Sequence, residues 1–516
     1  MSIAFGIHVA FAGFLLLAGV LSNKLASRFN VPILLMFLGV GMAVGSEGLG
    51  LLSWDPLAYA APINNLGTVA MCFILFSGGL GTRYRSIKPV ISSGVVLATL
   101  GVLLTAFLLG LCTFVICRTT GFQTGFLWCM LLASLISSTD AAAMFAILRG
   151  NGVSLSGTLQ PLLELESGSN DPMAALLTIV MIEVVTSSSG NFDFWQIPLL
   201  FYKIGMGAVA GVLMGGLGKW LFSQRFEYEG LYYVLGVAVV LLCFGGAELI
   251  KSNGFLAVYV CGVTMGNLRY NYRSGLEKFN EGIAWLMQVV LFTSLGVLVN
   301  PFELVSWKVL IPGVMMSFVL MFIARPGAVF ISLANSRFSF REKLLVSWAG
   351  LRGAAPIVLA TFPLVHGVPN SNYMFNMIFF MVIGSVLIQG ITLMPLARRL
   401  GLAKPFVAKS KSPLEMETVA GVNHDLHEFE VEDSSILAGV TLAEAQLPPG
   451  VLVTLIRRGK NFLPASGASR IERGDGLLVI GTPEKLREMS EKFFPGNDYH
   501  GHQELPIFKK KNKTGV

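Results

Sequence analysis

Of the 516 residues, 54% are hydrophobic and only 13% are charged. A soluble domain carries about 25% charged residues, so this chain cannot coat a water-facing surface of its own size, and lipid must form part of its solvent. The net charge of +7 does not point to nucleic acid, because the basic residues sit in short clusters between apolar runs, with no basic stripe interleaved with aromatics.

Apolar stretches long enough to span a bilayer follow one another to about residue 397. They predict helices near 4–22, 31–49, 62–82, 89–117, 122–148, 159–187, 197–222, 229–250, 253–267, 281–299, 307–334, 341–364 and 373–396, about thirteen spans in all. The first holds His8 as its only early ionisable side chain and lacks the basic start of a cleaved leader. Alternate loops hold Lys24 and Arg28; Arg83, Arg85 and Lys88; Arg149; Lys219 and Arg225; Arg269, Arg273 and Lys278; Arg337, Arg341 and Lys343. The intervening loops hold only Arg118, Lys251 and Lys308. This asymmetry predicts an inner-membrane protein with its N-terminus outside and its C-terminus in the cytoplasm. The six cysteines, Cys72, Cys112, Cys117, Cys129, Cys243 and Cys261, lie in or beside apolar segments without metal-ligand spacing, and read as small hydrophobes.

Ionisable groups inside apolar spans are costly, so each needs an explanation. The fifth span reads LLASLISSTDAAAMFAIL, with Asp140 after Ser137, Ser138 and Thr139. Three successive hydroxyl residues can bond to nearby backbone and unwind a helix. Unwound backbone at membrane depth exposes carbonyl oxygens, which are hard ligands for a small cation. The sixth span opens LLELESGSNDPMAALL. On a helix Glu166 and Asn170 share a face, with Asp171 about 100° round from Asn170. Pro172 removes a backbone donor beside that aspartate. Two acidic residues of one span cannot both face lipid, so at least one lines a polar cavity or pairs with a cation.

Arg325 in MFIARPGAVF and Arg352 in SWAGLRGAAPIVLAT are the available buried cations. Gly350, Gly353 and Pro356 predict a second discontinuous helix around Arg352. Two broken spans, the fifth and the twelfth, suggest an inverted repeat in which both cross at the midplane, as in ion-coupled secondary transporters. Asp140 would then offset positive half-helix N-termini and Arg352 negative C-termini.

Together SSTDAAA, ESGSNDP and GLRGAAP resemble the monovalent cation:proton antiporter 1 family, within it the bacterial potassium/proton antiporters, over nearly all of residues 1–400. The resemblance implies an all-α polytopic membrane fold of thirteen helices, with a dimerisation domain and a six-helix core, working as a homodimer. It implies that Asp171 holds the transported cation or the proton, with Asn170 beside it and Thr139 and Asp140 completing the seat. Glu166 would pair structurally with Arg325. Many sodium-selective relatives carry an acidic residue in the third span, where FILFSGGL places Ser77 in this chain.

Past Pro395, Arg398, Arg399, Lys404, Lys409 and Lys411 mark a cytoplasmic exit, with a linker over 401–412. Residues 413–495 read as a small α/β domain: LHEFEVE and LLVIGT as strands, TLAEAQL and PEKLREMSEKF as helices, and ERGDGLLVI as a turn into a strand. Thr482 and Pro483 fit the N-cap and first position of the second helix. This region resembles the C-terminal lobe of regulators of potassium conductance, for which a nucleotide-like regulator is the candidate ligand. Residues 496–516 read as a disordered basic tail.

The expected function is exchange of a monovalent cation, potassium or sodium (lithium as a further candidate), for protons, one for one and electroneutral, serving cation and pH homeostasis. It is not an enzyme and needs no organic cofactor. An intramembrane aspartyl protease using Asp140 and Asp171 would need a Gly-x-Gly-Asp run, whereas SGSN precedes Asp171. A regulated cation channel would need a repeated filter motif, and mid-membrane carboxylates suit exchange better than rapid permeation.

Overall fold

The computed structural model describes residues 10, 13–21, 33–45, 50, 56–119, 124–150, 152–187, 195–405, 425–431, 435, 437–459 and 461–494. Lys24, Arg28, Lys409, Lys411, most of the expected linker and the basic tail lie outside them. Of the described residues, those within 1–215, 237–266 and 280–407 form one compact unit, and those within 216–236, 267–279 and 408–516 form a second.

The helices in order are α1 (Ile33–Val44), α2 (Pro56–Gly81), α3 (Tyr84–Thr119), α4 (Phe126–Leu135), α5 (Ala141–Gly150), α6 (Leu159–Thr186), α7 (Gln196–Phe222), α8 (Gly230–Leu249), α9 (Gly254–Gly266), α10 (Arg273–Val297), α11 (Pro301–Val305), α12 (Trp307–Ser332), α13 (Phe340–Trp348), α14 (Ala354–Val365) and α15 (Ser371–Arg399). Residues 13–21 are also helical. Among the described residues, seven helices are long and apolar enough to cross a bilayer, and α1, α4, α9 and α14 are shorter apolar helices. The chain is a multi-pass membrane protein. α10 begins well before the apolar run that predicted it, because an Arg273–Glu277 pair one turn apart, at 2.9 Å, supports a polar first turn.

Small residues let the helices of the first unit approach closely, the usual device where lipid removes the hydrophobic drive for helix association. A Cβ on Gly262 of α9 would stand 2.5 Å from the Phe76 carbonyl of α2. By contrast α7 is sparsely covered: Leu213 is 68% and Trp220 59% exposed. Both α3 and α12 widen into a π-helical turn, at Leu97–Gly101 and Leu320–Ala324. The second of these leads straight into Arg325 and Pro326, where the missing proline N–H interrupts the regular ladder. Strand β1 (Val153–Leu155) pairs antiparallel with β2 (Ala403–Pro405), so the first residues of the expected linker are a structured edge.

The second unit contains a four-stranded antiparallel sheet in the order β3 (Asp425–Glu430), β6 (Gly476–Gly481), β4 (Leu452–Arg458), β5 (Asn461–Pro464), with α16 (Pro483–Phe493) packed on β3 and β6. Its core joins Phe429, Ile456, Leu477, Val479, Leu486 and Met489. Thr482 has the extended N-cap conformation and Pro483 opens α16, although the Thr482 side chain makes no capping bond. TLAEAQL is a correction: it forms a single turn rather than a helix. Thr441 and Glu444 do exchange capping-box bonds, but Gln446 takes a left-handed φ of 44° and Pro448 and Pro449 follow, so no second turn can form. The β4–β5 hairpin, turning at Gly459 with φ 60°, was not anticipated.

All six cysteines are free, and five of them are buried.

Candidate functional site

The fifth and twelfth apolar runs are each interrupted near the middle of the run. Residues 136–140 separate α4 from α5, and residues 349–353 separate α13 from α14. The two extended segments cross and join backbone to backbone: Asp140 N donates to Leu351 O at 2.7 Å. Ser137 Oγ turns back to the Ser134 carbonyl at 2.7 Å, the local hydroxyl bond that favours unwinding. Neighbouring helices satisfy the opened backbone. From α6, Ser167 Oγ donates to Thr139 O and accepts from Ala141 N, both at 2.9 Å. From α15, Ser385 Oγ accepts from Arg352 N at 3.2 Å, and Gln389 Nε2 donates to Trp348 O at 3.1 Å.

The half-helix ends meet charged side chains of opposite sign. Asp140 Oδ1 accepts from Ala143 N at 3.0 Å, at the N-terminus of α5. Arg352, 1% exposed, donates from Nη1 to the Ser138 carbonyl just beyond the C-terminus of α4. Gly353 lies against the aspartate: a Cβ there would fall 1.8 Å from Asp140 Oδ2.

α6 runs unbroken through Pro172 and supplies three further polar groups. Glu166, 1% exposed, is paired with Arg325 at 2.5 Å between Oε1 and Nη2. Asn170, fully buried, donates from Nδ2 to Thr139 Oγ1 at 2.6 Å. Asp171 is half-buried, beside Asp140, Ser138 and Arg352. The carbonyl of Pro172 accepts from Asn253 Nδ2 at 2.9 Å, so the residue following the aspartate is tied to the start of α9. Thr139, Asp140, Asn170, Asp171, Glu166, Arg325 and Arg352 therefore form one cluster, although they come from four separate stretches of chain.

Within it a cavity of about 50 Å³ opens onto Thr139, Asp140, Asp171 and the start of α14 at Gly353. That volume holds a few water molecules, or a small cation keeping part of its hydration. Several buried polar atoms of the cluster have no protein partner: Glu166 Oε2, Asn170 Oδ1, Ser138 Oγ, and Nε and Nη2 of Arg352. Such groups call for water or an ion. Carboxylate, hydroxyl and carbonyl oxygens are the donor set for a hard cation. Among the described residues no group of three or more His, Cys, Asp or Glu could hold a metal ion. From α2 the cavity is lined by Met71, Ile74 and Leu75, not by Ser77.

Sequence reasoning did not single out Ser167, Asn253, Gln288, Ser385 or Gln389. For Gln288, Ser385 and Gln389 the one signal is a lone polar residue within an apolar run, whereas Ser167 and Asn253 sit among other polar residues.

Residues 12–399 match the transmembrane region of sodium/hydrogen exchangers. The chain belongs to the sodium/hydrogen exchanger family. Residues 426–493 match the TrkA-C domain, the C-terminal module of potassium-conductance regulators. Among curated relatives of this exchanger, the K(+)/H(+) antiporter NhaP2 of Shewanella baltica is 34% identical over 477 residues, covering 92% of this chain and 81% of that protein. The K(+)/H(+) antiporter NhaP of Alkalimonas amylolytica is 35% identical over 420 residues, covering 81% and 71%. The solved structure of the sodium proton antiporter MjNhaP1 from Methanocaldococcus jannaschii superposes with a TM-score of 0.65 at 23% identity, covering 77% of this chain and 99% of that one, a likeness of fold.

Proposed function

We propose that this chain is a secondary antiporter exchanging a monovalent cation, potassium or sodium, for protons, by competition at Asp171. The observation that carries the reading is a half-buried carboxylate, Asp171, lining a small cavity where two unwound segments cross. An empty, charged carboxylate is costly to carry through a low-dielectric gate, whereas a carboxylate loaded with a proton or a cation is not. Only loaded forms then change sides, and that converts alternating access into obligate exchange.

Thr139, Asp140 and Asn170 complete the seat; Glu166 and Arg325 brace it; Arg352 neutralises the carbonyl end of α4. With Asn170 neutral, one carboxylate carries one charge each way, so exchange is electroneutral. The π-bulged pair α3 and α12 and the broken pair α4/α5 and α13/α14 support an inverted repeat. The loop charges support an inner-membrane location with the N-terminus outside. A homodimer is the assembly we infer, a nucleotide-like regulator is the ligand class for the TrkA-C region, and cation and pH homeostasis the role.

The test is dequenching of a pH dye in everted vesicles titrated with potassium, sodium and lithium. Wild type releases protons on cation addition and Asp171→Asn does not. An Asp171→Asn protein exchanging at the wild-type rate would overturn the reading.

A further inference from the structure

The cavity beside Asp171 has two unlike walls. One is the crossing itself, with Thr139, Asp140 and Gly353. The facing wall comes from α1, α2 and α10 and is made of Leu34, Met71, Ile74, Leu75, Phe292 and Gln288. Among the described residues Gln288 is the single polar side chain on that wall. It is half-buried, and among the described residues no hydrogen bond ties its amide to a neighbour. An amide at membrane depth with no protein partner is costly unless water or an ion satisfies it. On that wall α2 offers only apolar side chains, Met71, Ile74 and Leu75.

We propose that Gln288 is a ligand to the transported cation and sets its selectivity. The claim rests on the antiport reading above and deepens it. The amide oxygen is a neutral hard donor, placed across the cavity from a carboxylate. A cation seated between them faces carboxylate charge from one side only, completed by a dipole on the other. Charge-dense cations hold their water tightly and need more ligand charge to replace it, whereas larger cations shed water more readily. A neutral facing wall therefore favours potassium over sodium and lithium. A carboxylate at the same place would reverse that preference.

The experiment uses the full chain in two ways. In everted vesicles, proton release is titrated with potassium, sodium and lithium for wild type, Gln288→Leu, Gln288→Asn and Gln288→Glu. In detergent, the potassium-dependent rise in melting temperature is measured for the same proteins and for Asp171→Asn. Gln288→Leu is expected to raise the half-saturating potassium concentration by about tenfold, the loss of one ligand bond. Gln288→Asn falls between. Gln288→Glu is expected to shift the potassium-to-sodium ratio toward sodium by about tenfold.

If Asp171→Asn abolishes potassium stabilisation while every Gln288 variant keeps it at wild-type strength, the antiport reading stands and this inference fails. Equal weakening of all three cations in Gln288→Leu and Gln288→Glu would mark Gln288 as mere wall, and would also overturn it. Wild type without cation-dependent proton movement would bring down both.

Discussion

Gly353 and Asp140 occupy a space that admits only one side chain: a Cβ on the glycine would stand 1.8 Å from the aspartate oxygen. The carboxylate that caps α5 is thus seated directly on the backbone that opens α14. Gly353→Ala is expected to reduce exchange to background and lower thermal stability in detergent. Gly384→Ala, where the nearest atom is Ser317 Oγ at 3.5 Å, should be tolerated. Equal activity of both variants in the vesicle assay would contradict the close approach.

Glu166 and Arg325 are both almost wholly buried and paired. Removing one partner leaves an uncompensated charge, which costs about 3–5 kcal/mol. Glu166→Gln should therefore lower the melting temperature sharply, and Arg325→Gln likewise. The double substitution should lose less than the sum of the singles, since neither charge remains. Additive losses would mean that the pair contributes nothing as a pair.

Arg352 acts through a directed hydrogen bond to the Ser138 carbonyl as well as through its charge. Arg352→Gln should abolish exchange. Arg352→Lys keeps a positive charge on a shorter-reaching head and should retain partial exchange. Indistinguishable lysine and glutamine variants would remove charge compensation from the account.

Asp475 is 1% exposed, and its two oxygens accept from Nε and Nη2 of Arg458, both at 2.9 Å, with Glu472 N adding a third bond at 2.8 Å. Asp475→Asn should destabilise the α/β domain by about 1.5–3 kcal/mol. In limited proteolysis of the full chain, cleavage should rise within 425–494 while the membrane-embedded fragment stays intact. The hydrogen bond to Asp475 holds Arg458 above its ordinary range. A raised arginine keeps its stabilising charge below its unfolded value and loses it only as pH climbs through the folded one. On the arginine side the pair should therefore hold at neutral pH and weaken only in strong alkali.

Much of this architecture was legible because lipid leaves so little freedom. A carboxylate in an apolar run, or three hydroxyl residues before one, has few structural uses, so Asp140, Asp171 and both helix breaks stood out. Ser385 and Gln389 did not, because an isolated serine or glutamine in a span reads as ordinary until the carbonyl or amide it serves is known. Gln288 was hidden likewise: its meaning comes from what faces it across a cavity, a relation between distant stretches of chain. Where water is the solvent, local rules competed more evenly. Thr441 and Glu444 began a helix that Gln446 and the following prolines stopped, and the β4–β5 strands were masked by their charged and exposed residues.

The bond from Arg352 to the Ser138 carbonyl spans 214 positions of sequence. During synthesis the carbonyl emerges from the ribosome long before its donor exists. The first half of the molecule must therefore wait in the bilayer with its middle unfinished, kept from lipid by water, lipid headgroups or the insertion machinery. A chain halted before residue 352 is not a smaller exchanger but an unfinished one, and membrane proteases should clear it quickly.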